Sequence, residues 1–194
     1  MSDERYRDDL KEIRSLMEHS TRFLSLSGWS GIMAGIYALI GAYKINLITG
    51  GHLSADISIV LIGLLIMAAA LITGTILTYR KAQKNNEVIF SKTALRMLAH
   101  VGFPMLVGAF FTVALVFEGA EQLTAAALLI FYGLGLINGS KYTVHDIRLL
   151  GIGNAVLGVF ALFVPDYGLY FWAAGFGLGH IIYGTYMWAK YERA

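Results

Sequence analysis

The stretch Ile181-Ile182-Tyr183-Gly184-Thr185 lies near the end of the last apolar run of the chain. Its pattern of two aliphatic residues, a variable residue, glycine and a hydroxyl residue also occurs at residues 71–75 and 136–140. One apolar run upstream of each stretch stands a glycine, a small or aliphatic residue and an aromatic residue; these triplets are 35–37, 108–110 and 158–160. The recurrence predicts three tandem helical hairpins.

The composition indicates an integral membrane protein. The chain has 194 residues, of which 57% are hydrophobic and 14% charged, whereas a soluble domain carries about 25% charged residues. It contains no cysteine, which excludes disulfides, a thiolate nucleophile and an iron–sulfur cluster held by cysteine. The expected environment of most of the chain is therefore the lipid bilayer.

We predict an all-α polytopic membrane protein with six transmembrane helices. A spanning helix needs about 20 mainly apolar residues, and the domain at 23–190 offers six such runs. The predicted spans lie at about 23–45, 58–78, 94–117, 123–140, 149–164 and 169–188.

The segment 1–22 is predicted to be a cytoplasmic amphipathic helix. Acidic and basic residues alternate through it, unlike a signal peptide, whose short basic region leads directly into an apolar one. Leu10, Ile13 and Met17 recur at helical spacing. Two interpretations stay open, a solvated helix lying on the bilayer surface and a docking helix for a protein partner.

The distribution of basic residues predicts the orientation. With six spans, both ends of the chain lie on one side, and that side receives 14 of the 15 Lys and Arg residues; Lys44 is the exception. Cytoplasmic segments are enriched in Lys and Arg. We therefore expect a multi-pass protein of a bacterial inner membrane with both termini in the cytoplasm. The same bias explains the basic residues without nucleic-acid binding.

Residues 148–190 carry an apolar helix with a central glycine, a turn at Pro165-Asp166, and a glycine-rich helix that ends in Gly184 and a basic tail. In this pattern the chain resembles the HdeD-like acid-resistance membrane proteins, a family of small six-span bacterial proteins built from tandem hairpins. It is also similar to uncharacterised small inner-membrane proteins. The first two hairpins depart from the family because they lack a turn proline. The resemblance implies a stress-related membrane protein and supplies no catalytic residues.

Glycines within the spans are predicted to bring helices close together, because small residues let helix backbones approach in lipid. The predicted packing positions are Gly31, Gly35, Gly74, Gly108, Gly139, Gly158, Gly175, Gly179 and Gly184.

Two histidines within the spans are the main candidates for chemistry, since ionisable residues inside a membrane are rare and commonly functional. His180 lies near the middle of its span and His100 lies nearer the cytoplasmic end. Asn138 and Tyr183 could line a polar path with them, and a structural role, with Tyr183, Tyr132 or Asn138 as hydrogen-bond partner, is the simpler interpretation.

Three functions stay open. The first is a non-catalytic, stress-related or partner-binding membrane protein without a cofactor, since no acid–base constellation and no metal-ligand spacing is present. The second is a small transporter or channel whose path runs past His100, Asn138, His180 and Tyr183. The third is a haem-binding redox protein that uses His100 and His180 as ligands. The sequence leaves open the ligand, the partner and whether the chain forms a homo-oligomer.

Overall fold

The computed structural model describes Leu10 and residues 26–52, 57–85 and 91–193. Within these ranges the backbone is helical or forms short turns, and none of it is strand, so the prediction of an all-α protein is confirmed for them. The helix predicted at 1–22 lies outside the described residues apart from Leu10, which is helical and exposed.

Within residues 26–52, 57–85 and 91–193 the chain forms six helices, which we number in chain order. Short 3₁₀ turns lead into the fourth and the sixth, at Glu121–Leu123 and Pro165–Tyr167. The helices are α1 (Gly28–Thr49), α2 (Ile57–Lys84), α3 (Lys92–Phe117), α4 (Thr124–Gly139), α5 (Ile147–Phe163) and α6, whose three sections are Gly168–Trp172, Ala173–Gly179 and His180–Tyr191. The middle section of α6 is π-helical.

The end of α1 is set by Gly50. This residue has φ 66°, a left-handed conformation that favours glycine, and its N–H bonds the carbonyl of Asn46. Helix α1 therefore continues through Thr49, four residues past the expected end of the first span.

Four helical segments are long and apolar enough to cross a membrane: 28–49, 57–84, 92–117 and 121–139. Helix α5 is also apolar but has 17 residues, and α6 is divided by its π-helical section. In the most apolar window of α2 no residue is buried by the rest of the protein, and in that of α3 only 6% are. Long helices with such exposed apolar surfaces are typical of a helical membrane protein.

Helix α6 lies at the centre of the packing. It packs along α1 on one side, and on the other side its first section contacts α4 and all three of its sections contact α5. Helix α5 also packs along α4, whereas α2 flanks α1 and α3 flanks α4 on the outside.

Backbones meet at several glycines. A Cβ at Gly184 would lie 2.5 Å from the carbonyl oxygen of Gly28, and a Cβ at Gly133 would lie 2.5 Å from that of Gly151. These contacts hold α1 against α6 and α4 against α5. Such spacing leaves no room for side chains, which is how small residues bring membrane helices together.

The predicted packing positions differ in how closely they face a neighbour. Gly74 has only the Cβ of Ser30 within 4 Å, whereas a Cβ at any of the other eight would come within 3.4 Å of a neighbouring atom. Gly28, Gly133, Gly151 and Gly177 are close-contact glycines that the recurring motifs do not include.

Polar contacts show which helix ends lie together. The carboxylate of Glu192, just after α6, accepts hydrogen bonds from the N–H of Gly28 at 2.6 Å and from Lys81 Nζ at 3.0 Å. Asp146, just before α5, pairs with Lys190 near the end of α6 at 2.6 Å. The start of α1, the end of α2, the start of α5 and the end of α6 therefore share one end of the bundle, which we call the basic end.

At the opposite end, Tyr170 Oη donates to Asn46 Oδ1 at 3.2 Å. This contact joins the end of α1 to the start of α6. Helices α1 and α6 are therefore antiparallel.

The two equivalent glycines of the recurring motif, Gly184 and Gly74, predict opposite responses to alanine. Gly184→Ala would place a methyl group 2.6 Å from the backbone nitrogen of Ile32, so α1 and α6 must move apart. We expect it to destabilise the protein by about 1–3 kcal/mol. Gly74→Ala should be neutral or slightly stabilising, because alanine favours a helix more than glycine does.

Thermal unfolding of both variants in the same detergent measures this contrast. Equal Tm values for Gly184→Ala and the unchanged protein would show that the α1–α6 contact tolerates the extra methyl group.

Candidate functional site

The candidate site surrounds the π-helical section of α6. Its sequence, Ala-Ala-Gly-Phe-Gly-Leu-Gly at 173–179, carries three glycines in seven residues. Gly175 faces Leu129 of α4 and Asn154 of α5, and Gly177 faces Leu39 of α1. The wide turn therefore lies where three helices converge, and π-helical turns inside α-helices are frequently found at functional sites.

His180 forms the centre of the site. Its Nε2 lies 2.6 Å from Tyr132 Oη on α4, and its Nδ1 lies 3.1 Å from the carbonyl oxygen of Gly175. A carbonyl oxygen can only accept a hydrogen bond, so Nδ1 of the neutral ring carries the proton and donates to Gly175. Nε2 therefore accepts a hydrogen bond from the Tyr132 hydroxyl. The imidazole also stacks on Phe176 with an interplanar angle of 8°.

Two buried polar atoms, on α5 and α6, have no hydrogen-bond partner among the described residues. They are Asn154 Oδ1 and Tyr183 Oη. Asn154 is 1% exposed, and its amide nitrogen donates to the Leu150 carbonyl one turn back, while its oxygen points at Gly175. Unsatisfied polar groups are costly in an apolar bundle, which makes these two atoms candidate contacts for a water molecule or a ligand.

One face of α6 connects this site to the basic end. His180, Tyr183 and Lys190 follow one another at helical spacing. At the surface, Lys190 Nζ and Tyr191 Oη both donate to Asp146 Oδ2, at 2.6 and 2.9 Å. Polar side chains on this face therefore extend from the basic end towards His180, and no direct hydrogen bond joins Tyr183 to either group.

The bonds from Lys190, and then that from Tyr191, hold the pKa of the Asp146 carboxyl below its ordinary value, although partial burial opposes them. The carboxylate is therefore ionised at neutral pH.

His100 belongs to a second, separate cluster. Its Nδ1 lies 3.3 Å from Asn138 Nδ2, its Nε2 lies 3.0 Å from Tyr142 Oη, and its ring stacks on Tyr142. Asn138 also donates to the His100 backbone carbonyl at 3.2 Å. This cluster joins the start of α3 to the end of α4 at the basic end.

The structure thus divides the four residues predicted to line a path. His180 and Tyr183 lie on one face of α6, whereas His100 and Asn138 contact each other between α3 and α4. Tyr132 and Asn138, which contact the two histidines, are six residues apart on α4, or about 9 Å along its axis.

The ring nitrogens of both histidines are already engaged by protein atoms. A haem iron would have to displace one of these bonds at each ring and bring the two clusters together. Across residues 26–52, 57–85 and 91–193, no group of three or more His, Cys, Asp or Glu residues could hold a metal ion.

Asn154 is the site residue that the sequence analysis missed. It is a lone amide in the middle of the apolar run of α5, which is the same signal that singled out the histidines. The π-helical turn has no comparable signal, because three glycines in a span also suit ordinary close packing.

Comparisons with known proteins give no relative. No protein-family model, no curated protein and no solved structure matches the chain. The resemblance to HdeD-like proteins therefore stays an expectation from short motifs, and the site has to be interpreted from its own geometry.

Removing the Tyr132 hydroxyl is expected to destabilise the protein. In Tyr132→Phe the buried Nε2 of His180 loses its donor, and an unsatisfied buried acceptor costs about 1–3 kcal/mol. Tyr167→Phe, which removes an exposed hydroxyl, is the matched control and should leave Tm unchanged. If both variants unfold at the same temperature, the Tyr132–His180 bond makes no net contribution to stability.

The Asp146 contacts predict a pH-dependent contribution to stability. Because the pKa of Asp146 is lowered on folding, the contribution is present above the ordinary aspartate pKa of about 3.9 and is lost as the pH falls through the lowered value. Asp146→Asn should therefore lower Tm slightly at pH 7, since exposed pairs are screened. The gap to the unchanged protein should narrow as the pH falls below about 4 and close below the lowered pKa.

Glu118→Gln, which changes an exposed carboxylate after α3, should produce no such pH-dependent gap. A gap for Asp146→Asn that persists undiminished at pH 3 would assign the loss to packing and not to charge.

Proposed function

We propose that the chain crosses a bacterial inner membrane six times, as three tandem hairpins with both termini in the cytoplasm. Helices α5 and α6 would supply the fifth and sixth spans, since the 17 residues of α5 rise about 26 Å, close to the hydrocarbon thickness of about 30 Å. Lys81, Lys190 and Arg193 all belong to the basic end, which supports placing that end in the cytoplasm.

Within this membrane we propose a small transporter or channel that moves protons, with His180 as the group that takes up and releases each proton. The observation that carries this proposal is the buried hydrogen-bond chain from Tyr132 through the His180 ring to the Gly175 carbonyl. Histidine is the side chain whose ordinary pKa suits proton exchange near neutral pH.

The proton balance of one passage follows from these contacts. A water molecule on the side of the basic end supplies a proton to Tyr132 Oη as Tyr132 passes its own hydroxyl proton to His180 Nε2, so no tyrosinate is left. The imidazolium then releases its Nδ1 proton to a water molecule on the side of Gly175, where Asn154 Oδ1 can accept a hydrogen bond from that water. One proton enters and one leaves, and the proton that remains on Nε2 must move to Nδ1 by tautomer exchange before the next passage.

The packing around His180 favours a proton over a larger solute. A cavity of about 240 Å³ between α3, α4 and α5 and a shallow groove on α2 are both lined mainly by apolar side chains. Neither is lined by Tyr132 or His180. Hydrogen-bond exchange needs no such volume. Partner binding through residues 1–22 stays a prediction, because that segment lies outside the described residues.

Proton flux into liposomes tests the proposal. Purified protein is reconstituted into vesicles that contain a pH-sensitive dye, and a potassium gradient with valinomycin supplies the driving voltage. We expect the interior to acidify at least about fivefold faster than in protein-free vesicles. His180→Phe and Tyr132→Phe should reduce the rate to the protein-free level, because each breaks the donor–acceptor chain.

Two matched variants separate this effect from general damage. His145→Phe and Tyr167→Phe change exposed residues of the same types and should keep the full rate. A folded, unchanged protein that acidifies vesicles no faster than lipid alone would contradict the proposal, and so would His180→Phe with undiminished flux.

A further inference from the structure

The side chain of His180 bonds the turn that precedes it. The ring Nδ1–H donates to the Gly175 carbonyl at 3.1 Å, and the backbone N–H of His180 bonds the carbonyl of Gly177. The imidazole therefore stabilises the π-helical turn through a side-chain hydrogen bond.

We propose that Ala173–Gly179 is an element with two registers, held in the π register by the His180 side chain. In the alternative register the turn is α-helical, and the Gly175 carbonyl accepts from the backbone N–H of Gly179, four residues on. That bond forms between backbone atoms alone. The hydrogen bond from the His180 ring to the Gly175 carbonyl therefore favours the π register over the α-helical one.

The two flanking sections are anchored unequally. His180–Tyr191 is held by the close contact of Gly184 with Gly28 and by the pairs of Lys190 with Asp146 and Glu192 with Lys81. Gly168–Trp172 has five residues and follows a 3₁₀ turn that could absorb one residue. A change of register would therefore rotate the first section, by about 100° with a shift of about 1.5 Å.

The rotation would break specific contacts. Leu169 is buried in a cluster with Ala42 and Ile45 of α1, and Tyr170 donates to Asn46. Both contacts face α1 only in the π register. The glycines of the turn make the change feasible, because Gly175 and Gly177 carry no side chain that would have to pass Leu129 or Leu39.

The same ring accepts a hydrogen bond from the Tyr132 hydroxyl, so protonation of His180 would bias the register and thereby the end of the bundle around Leu169. This coupling rests on the proposed function. The existence of two registers does not, and it is tested without any transport measurement.

The absence of cysteine permits a direct test by cross-linking. One reporter carries Ile45→Cys with Leu169→Cys, which join α1 to the first section. A second carries Trp29→Cys with Trp188→Cys, whose parent rings lie 6.2 Å apart and join α1 to the last section. Each pair is treated in detergent with a short thiol-specific cross-linker, and the cross-linked fraction is measured after proteolysis.

Two substitutions at His180 differ in whether the side chain can donate a hydrogen bond to the Gly175 carbonyl. His180→Phe keeps a ring that can stack on Phe176 but has no donor, and His180→Gln keeps an N–H that can reach the Gly175 carbonyl. We expect His180→Phe to lower the 45–169 cross-link at least about threefold and to leave the 29–188 cross-link unchanged. His180→Gln should keep both.

A 45–169 yield that is the same in all three proteins would overturn the proposal. If His180→Phe loses both cross-links, deletion of Ala174 in that background decides the question, because it removes the extra residue and lets the turn become α-helical with both sections in place. The proposal then requires both cross-links to return, and their continued absence would refute it.

Discussion

The close approach of α6 to three other helices is the constraint on which the rest of the structure depends. Its backbone meets α1 at Gly28, where an added Cβ would come within 2.5 Å of a backbone atom. In lipid there is no hydrophobic force between apolar helices, so packing of this kind and interhelical hydrogen bonds must hold the bundle. The flanking helices α2 and α3 are mostly exposed, and they depend on the inner helices for their position.

The same close packing explains the polar site. A wide turn in α6 fits between α4 and α5 only because Gly175 has no side chain, and this brings the Gly175 carbonyl within reach of the His180 ring. The site and the packing cannot be changed independently. A larger residue at position 175 would meet Asn154 and Leu129 before it affected any chemistry.

The sequence predicts the elements far better than their contacts. Apolar runs of about 20 residues define the helices, and the histidines stand out because charged or polar groups are rare in such runs. The sequence does not predict which helices pack against each other, since glycines in equivalent motif positions face different neighbours. Gly139 packs on Val101 of the preceding helix, whereas Gly184 packs on α1, five helices earlier in the chain.

The π turn could not be predicted for a related reason. Its hydrogen bonds depend on where α1, α4 and α5 place their side chains, and a run of glycine and alanine is compatible with either helix type. For Asn154 the sequence shows a polar residue within an apolar run. It cannot show that the side-chain oxygen lacks a hydrogen-bond partner, because that depends on how the helices pack.

The bond between Glu192 and the N–H of Gly28 joins residues 164 positions apart. During synthesis the start of α1 therefore lacks this carboxylate and its long packing partner until the last helix has left the ribosome. Assembly is in this sense completed from the end of the chain. A ribosome that stalls before α6 would leave the earlier helices inserted with the glycine face of α1 open to lipid or to membrane quality-control proteases.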